Sequence, residues 1–167
     1  MRVFLIGFMG AGKSTTGRAL ARQTGAFFVD LDERVEASLG QTIPEIFRRL
    51  GEAAFRVEES QQLVACERFG DVVVATGGGT FALEANRELI GRLGVSVFLD
   101  PPWEEVLRRL PGKREERPLF SSGAGAYDLY RSRLQHYCKA DLHVQPLGNE
   151  DPEAVARRIV LLLKELK

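Results

Sequence analysis

Gly7-Phe8-Met9-Gly10-Ala11-Gly12-Lys13-Ser14 follows directly on the apolar run Val3-Phe4-Leu5-Ile6 and leads directly into Thr15-Thr16-Gly17-Arg18-Ala19-Leu20. The pattern is glycine, four residues, then Gly-Lys-Ser, set between a strand and a helix, and that is the context a phosphate-binding loop requires. Glycines let the chain curl until successive N–H groups point at phosphate oxygens, and the helix N-terminus adds its own unpaired donors and a partial positive charge. Lys13 is then placed to bridge the outer phosphates, and the Ser14 hydroxyl to ligate Mg2+. The stretch predicts a nucleoside triphosphate ligand, held at Gly10, Ala11, Gly12, Lys13, Ser14 and Thr15.

Working outward, short apolar runs alternate with helical patterns, which predicts an α/β fold built on a parallel sheet with helices on both faces. Five strands are expected near residues 3–6, 27–29, 72–75, 95–99 and 142–144, with long helices over 13–24, 53–69, 82–92 and 152–166. On the last helix Val155, Ile159, Leu162, Leu163 and Leu166 form one stripe, expected to pack in the core. Residues 32–50 are expected to form two short helical pieces, broken at Leu39-Gly40-Gln41-Thr42, with Pro44 opening the second. Residues 111–125 are charged and then glycine-rich, and too long for a plain connection; they read either as a mobile active-site lid or as a surface loop.

The whole chain of 167 residues suits a single domain. Its formal net charge is zero, so no global field draws it to nucleic acid or to anionic membrane, and anionic ligands must be caught by local arginines. No apolar run approaches membrane-spanning length and no signal peptide is evident, so the expectation is a cytoplasmic protein. Cys66 and Cys138 lack metal-ligand spacing and read as free thiols on helices more readily than as a disulfide. His136 and His143 carry no partner pattern and read as structural or exposed.

Three further constellations bear on chemistry. Asp30 and Asp32 close the second strand, where ligands of open parallel sheets sit. On an extended segment, residues two apart share a side, so one carboxylate could serve magnesium waters and the other an acceptor hydroxyl. The pair also fits a helix N-cap. The third strand runs into Gly77-Gly78-Gly79, where bare backbone invites close approach of a ligand. No metal-binding Asp ends that strand, which moves the metal burden onto Ser14 and the Asp30/Asp32 pair. Arg56, with Glu59 one turn on, Arg117 and Arg133 are candidate anion-gripping guanidiniums, each also readable as a surface charge.

Taken together these residues resemble the shikimate kinases. The resemblance runs in order through the glycine loop, Asp30-Leu31-Asp32, Gly51-Glu52 with Phe55-Arg56 and Glu59, Gly77-Gly78-Gly79, Arg117-Pro118-Leu119, and Arg133 with Tyr137. It implies a P-loop NTPase-type five-stranded sheet, a substrate-binding region over about 32–60 and a lid over about 111–125. It implies ATP-dependent phosphorylation of the 3-hydroxyl of shikimate, with ATP and Mg2+. A monomer with no nucleic-acid or membrane partner is expected. Carried over, Asp32 would hydrogen-bond the shikimate hydroxyls and act as base, while Arg56 and Arg133 would clamp its carboxylate. Gly77, Gly78 and Gly79 would line the substrate, with Gly78 offering its N–H. Lys13 and Arg117 would meet the transferring phosphate, Arg109 the adenine, and Asp30 magnesium-bound water. Gly148-Asn149-Glu150-Asp151 departs from the family's basic or amide residue near the adenine. Two other readings are a related small-molecule kinase, such as a gluconate kinase, and a nucleotide-binding regulator without turnover.

Overall fold

The computed structural model describes residues 1–110, 123–147 and 150–166. Its centre is a five-stranded parallel sheet: β1 (Arg2–Ile6), β2 (Phe27–Asp30), β3 (Val72–Ala75), β4 (Val95–Leu99) and β5 (Leu142–Val144), in spatial order β2-β3-β1-β4-β5. β1 lies in the middle, with Phe4 opposite Val74 on one side and Ser96 on the other. A strand covered on both faces can be apolar without interruption, and Val3, Phe4, Leu5 and Ile6 are all fully buried. Alternation then sorts them: Val3 and Leu5 belong to one core, Phe4 and Ile6 to the other.

The Val3/Leu5 face is covered by α1 (Lys13–Thr24) and α7 (Pro152–Glu165), which supply Ala19, Leu20, Val155, Ile159 and Leu163. The opposite face is covered by α3 (Ile43–Val64), α4 (Glu84–Leu93), α5 (Trp103–Arg109) and α6 (Gly123–Tyr137). α2 (Leu31–Leu39) follows β2 without a linker and packs with α3 around a separate small core of Val35, Ile43, Ile46 and Phe55.

The five expected strands are present, and β2 extends one residue further, to Asp30. The expected helix over 53–69 instead begins at Ile43 and ends at Val64, because the second short piece and the long helix join across a kink at Gly51 (φ 84°, ψ 168°). Its expected last turn tightens into a 3-10 turn, Ala65–Arg68, as Phe69 turns out to an extended conformation and meets Phe27. Leu166 lies beyond the end of α7 and is exposed, so it does not share the core stripe. Both cysteines are free: Cys66 is buried in the 3-10 turn, and Cys138 is exposed just past α6. Among the described residues no helix is long and apolar enough to cross a membrane.

Candidate active site

The carboxyl ends of β1, β2 and β3 open onto one edge of the sheet, and the site is assembled there. After β1 the chain forms the glycine loop. Gly12 caps α1 with φ 92° and ψ 18°, a left-handed conformation that disfavours any residue with a Cβ. Lys13 folds back across the loop, and its Nζ donates to the carbonyls of Gly7 and Phe8, each at 2.8 Å. Arg109, at the end of α5, reaches over the same loop, with Nη1 donating to the Gly10 carbonyl at 3.1 Å. Thr15 Oγ1 donates to the Gly12 carbonyl at 2.9 Å.

Beside this loop Ser14 Oγ donates to Asp30 Oδ2 at 2.6 Å, while Asp30 Oδ1 accepts the backbone N–H of Asp32 at 3.0 Å. Asp30 is therefore the N-cap of α2, and helical geometry begins at Leu31. This corrects the expectation that Asp30 and Asp32 share one side of an extended segment. A helix N-terminus needs acceptors for its unpaired N–H groups, and the Asp30 carboxylate supplies one. It caps with one oxygen and meets Ser14 with the other, so capping the helix still leaves it beside the glycine loop. Asp32, in the first turn, instead lines the neighbouring cleft.

That cleft is lined by Met9 of the glycine loop, Asp32, the apolar side chains Ile43, Phe47 and Phe55, the polar Arg56, Glu59 and Arg133, and the three glycines 77–79. The glycines are present for space. A Cβ on Gly77 would fall on Glu59 Oε1, one on Gly78 would lie 3.2 Å from Arg133 Nη1, and one on Gly79 would lie 2.5 Å from the Arg56 guanidinium. Each bare backbone position admits one charged group. The approach expected there is made first by the protein's own side chains.

Glu59 is fully buried. Its Oε2 accepts from Arg56 Nη1 at 2.8 Å, and Arg56 also meets Glu52 at 3.2 Å. Burial pushes the Glu59 carboxyl up, against the pull of Arg56 and Thr80. For Arg56 burial works to lower the pKa, but Glu59 and Glu52 outweigh it and the guanidinium is held above its usual range. Arg133 differs. It is 7% exposed and has no ion-pair partner among the described residues. Burial, with Arg56 adding repulsion, pulls its pKa down. Tyr137 stands beside it, pushed up to about 12 by burial, and donates its hydroxyl to the Gly78 carbonyl.

The structure thus brings together Asp32, Arg56, Arg133 and glycines 77–79 in one cleft, with Lys13, Ser14, Asp30 and Arg109 around the adjoining loop. Arg117, most of the expected lid over 111–125, and Gly148-Asn149 lie outside the described residues. Ile43 and Phe47 carry no sequence signal, and Phe55 enters only as part of the family motif beside Arg56; all three line the cleft. Thr80, in contact with Glu59, carries only one sequence signal, a hydroxyl directly after the glycines.

Comparison with known proteins agrees on one family. The family model described as shikimate kinase matches residues 9–164. A shikimate kinase of Prochlorococcus marinus (strain MIT 9313) is 43% identical over 167 residues, covering 98% of this chain and 86% of the relative. The solved shikimate kinase of Aquifex aeolicus is 39% identical with a TM-score of 0.87, covering 98% of this chain and 96% of that one. A shikimate kinase from Acinetobacter baumannii, solved in complex with shikimate, is 34% identical with a TM-score of 0.91, covering 99% of this chain and 94% of that one.

Proposed function

Because the chain belongs to the shikimate kinase family, we infer that it transfers the γ-phosphoryl group of ATP to the 3-hydroxyl of shikimate, giving shikimate 3-phosphate and ADP on the route to aromatic amino acids. The observation that carries the acceptor assignment is Arg133, a guanidinium buried to 7% exposure that has no ion-pair partner among the described residues and faces the same cleft as Arg56. A buried charge calls for an opposite charge. The planar forks of two arginines suit a carboxylate such as that of shikimate.

In this reading the rest of the cleft handles the ring and its hydroxyls. Asp32 accepts from the reacting hydroxyl and orients it toward the glycine loop. The Gly78 N–H meets the acceptor, with Gly77 and Gly79 leaving room beside it, and Ile43, Phe47 and Phe55 cover its apolar edge. On the nucleotide side, the N–H groups of Gly10 to Thr15 cradle the phosphates, Lys13 turns to their outer oxygens and Arg109 lies toward the base. The role proposed for Arg117 at the transferring phosphate rests on the family resemblance alone.

Ser14 and Asp30 are the oxygen donors at this loop suited to Mg2+, Asp30 through water. Among the described residues no group of three or more acidic, His or Cys side chains could hold an ion alone, and magnesium typically relies on substrate phosphates for much of its coordination. When bound, the ion neutralises phosphate charge. The chain's own task is positioning, since phosphoryl transfer through a loose transition state asks for little covalent participation.

We propose that the chain acts in the cytoplasm as a single-domain monomer. The test is ADP release by purified protein with ATP and Mg2+, without acceptor, with shikimate and with gluconate. Turnover should depend on shikimate. Turnover with gluconate alone, or equal ADP release without acceptor, would overturn the assignment.

A further inference from the structure

Thr80 follows the three glycines and is fully buried. Its hydroxyl donates to Glu59 Oε1 at 2.5 Å, its backbone N–H reaches the Gly77 carbonyl at 3.3 Å, and its own carbonyl accepts from Asn86 Nδ2 at 3.1 Å. Glu59 spends its other oxygen, Oε2, on Arg56 at 2.8 Å. We propose that Thr80 is a positioning residue for acceptor binding: by holding Glu59 Oε1 it fixes the carboxylate that aims Arg56 into the cleft. The inference rests on the reading above, in which Arg56 meets the acceptor carboxylate.

The geometry leaves Glu59 little freedom. Toward the three glycines it is confined, since the place of a Cβ on Gly77 is already taken by Oε1. With Oε1 pinned by Thr80, the carboxylate cannot rotate about its last bond without losing a bond in a buried setting. Arg56 has a second acidic neighbour, Glu52, nearly half exposed at the rim and 3.2 Å away. Glu59 and Glu52 compete for the guanidinium, and a Glu59 that turns or takes up a proton yields Arg56 to the rim. Asn86, itself buried, fixes the Thr80 backbone from α4.

A readout follows that mere packing would not share. Burial raises the Glu59 pKa, the Asp32 carboxylate on α2 raises it too, and the Arg56 charge and the Thr80 hydroxyl pull it down. From α6, Arg133 and Tyr137 also face it. Removing the hydroxyl takes away one of the groups that keep Glu59 ionised, so Glu59 should accept a proton at higher pH than in the parent.

The experiment compares the parent with Thr80→Val, which keeps the shape and loses the donor, and Thr80→Ser, which keeps the donor. With ATP and Mg2+, Thr80→Val should raise the shikimate KM about tenfold, the scale of one lost hydrogen bond to a charged acceptor. The turnover number and the ATP KM should stay near the parent's, since the contact is equally present in ground and transition states. The acidic limb of kcat/KM for shikimate should move to higher pH, and Thr80→Ser should behave as the parent. If Thr80→Val does not fold, Thr80→Ala replaces it, with the same expectation. A parent-like KM and pH profile in the hydroxyl-free variant, or equal impairment in Thr80→Ser, overturns the positioning role. A parent that does not turn over shikimate overturns the functional reading and this inference with it.

Discussion

A lysine in place of Arg133 would keep the charge and lose the fork. The ammonium is a compact, strongly hydrated point charge, costlier to strip of water and unable to meet both oxygens of a carboxylate in one plane. Arg133→Lys is therefore expected to raise the shikimate KM about tenfold or more while leaving the ATP KM unchanged. Steady-state kinetics with each substrate varied in turn checks this, and a loss confined to ATP would move the residue to the other ligand. For Asp32→Asn the expected loss lies in turnover. A carboxylate that orients and deprotonates a hydroxyl contributes about 10²–10⁴-fold, and turnover at saturating shikimate should fall on that scale while nucleotide titration remains parental. Near-normal turnover would leave Asp32 as a first-turn residue of α2 and nothing more. At this scale the sequence was half legible. Gly77-Gly78-Gly79 announced a close approach, but not that Glu59, Arg133 and Arg56 would be the groups to make it. Those partners come from α3 and α6, and no local pattern encodes which distant side chain fills a missing Cβ. For Asp30 and Asp32, strand and helix meet with no linker between them, so the two-residue spacing of an extended chain ends at Asp30.

The kink of α3 is the element on which the substrate side turns. The segment before Gly51 carries Ile43 and Phe47; the segment after it carries Phe55, Arg56 and Glu59, and all five line the cleft. Gly51 sits at φ 84° and ψ 168°, a region nearly reserved for glycine. A Cβ there would meet nothing within 4 Å, so substitution is penalised by the backbone alone. Gly51→Ala should lose about 1–3 kcal/mol of stability, read from the urea midpoint, with a raised shikimate KM as the two segments change angle. Unchanged stability would mean that the helix can run through without bending. Among elements the strands were the most legible, because a parallel sheet covered on both faces demands continuous apolar runs. α5 is not legible as a helix and α6 only at its end, near Cys138: α5 spans only seven residues after Pro101-Pro102, and α6 opens on Gly123-Ala124-Gly125, whose glycines weaken any helical signal.

At the scale of the molecule, the strand order places the ends of β2, β3 and β1 side by side, so the acceptor cleft and the glycine loop share one edge of one sheet. The glycine loop itself spans the two, with Met9 lining the cleft while Lys13 and Ser14 belong to the phosphate side. A ligand that binds only the folded chain stabilises it by mass action, and shikimate at about a hundred times its dissociation constant should add about 2.7 kcal/mol. The thermal midpoint should rise accordingly, and it should rise much less with the methyl ester of shikimate at the same concentration, because the ester lacks the charge that two arginines share. Equal shifts with acid and ester would separate the stabilisation from the carboxylate. This result would bear on the lifetime of the protein as well as on its affinity. Arg56 and Arg133 face one cleft and repel each other, and burial adds to the cost for Arg133. An incoming carboxylate relieves both. Acceptor supply then governs how often the chain opens to a protease, and an organism short of shikimate would be expected to clear this enzyme faster, so that its abundance follows the metabolite it consumes.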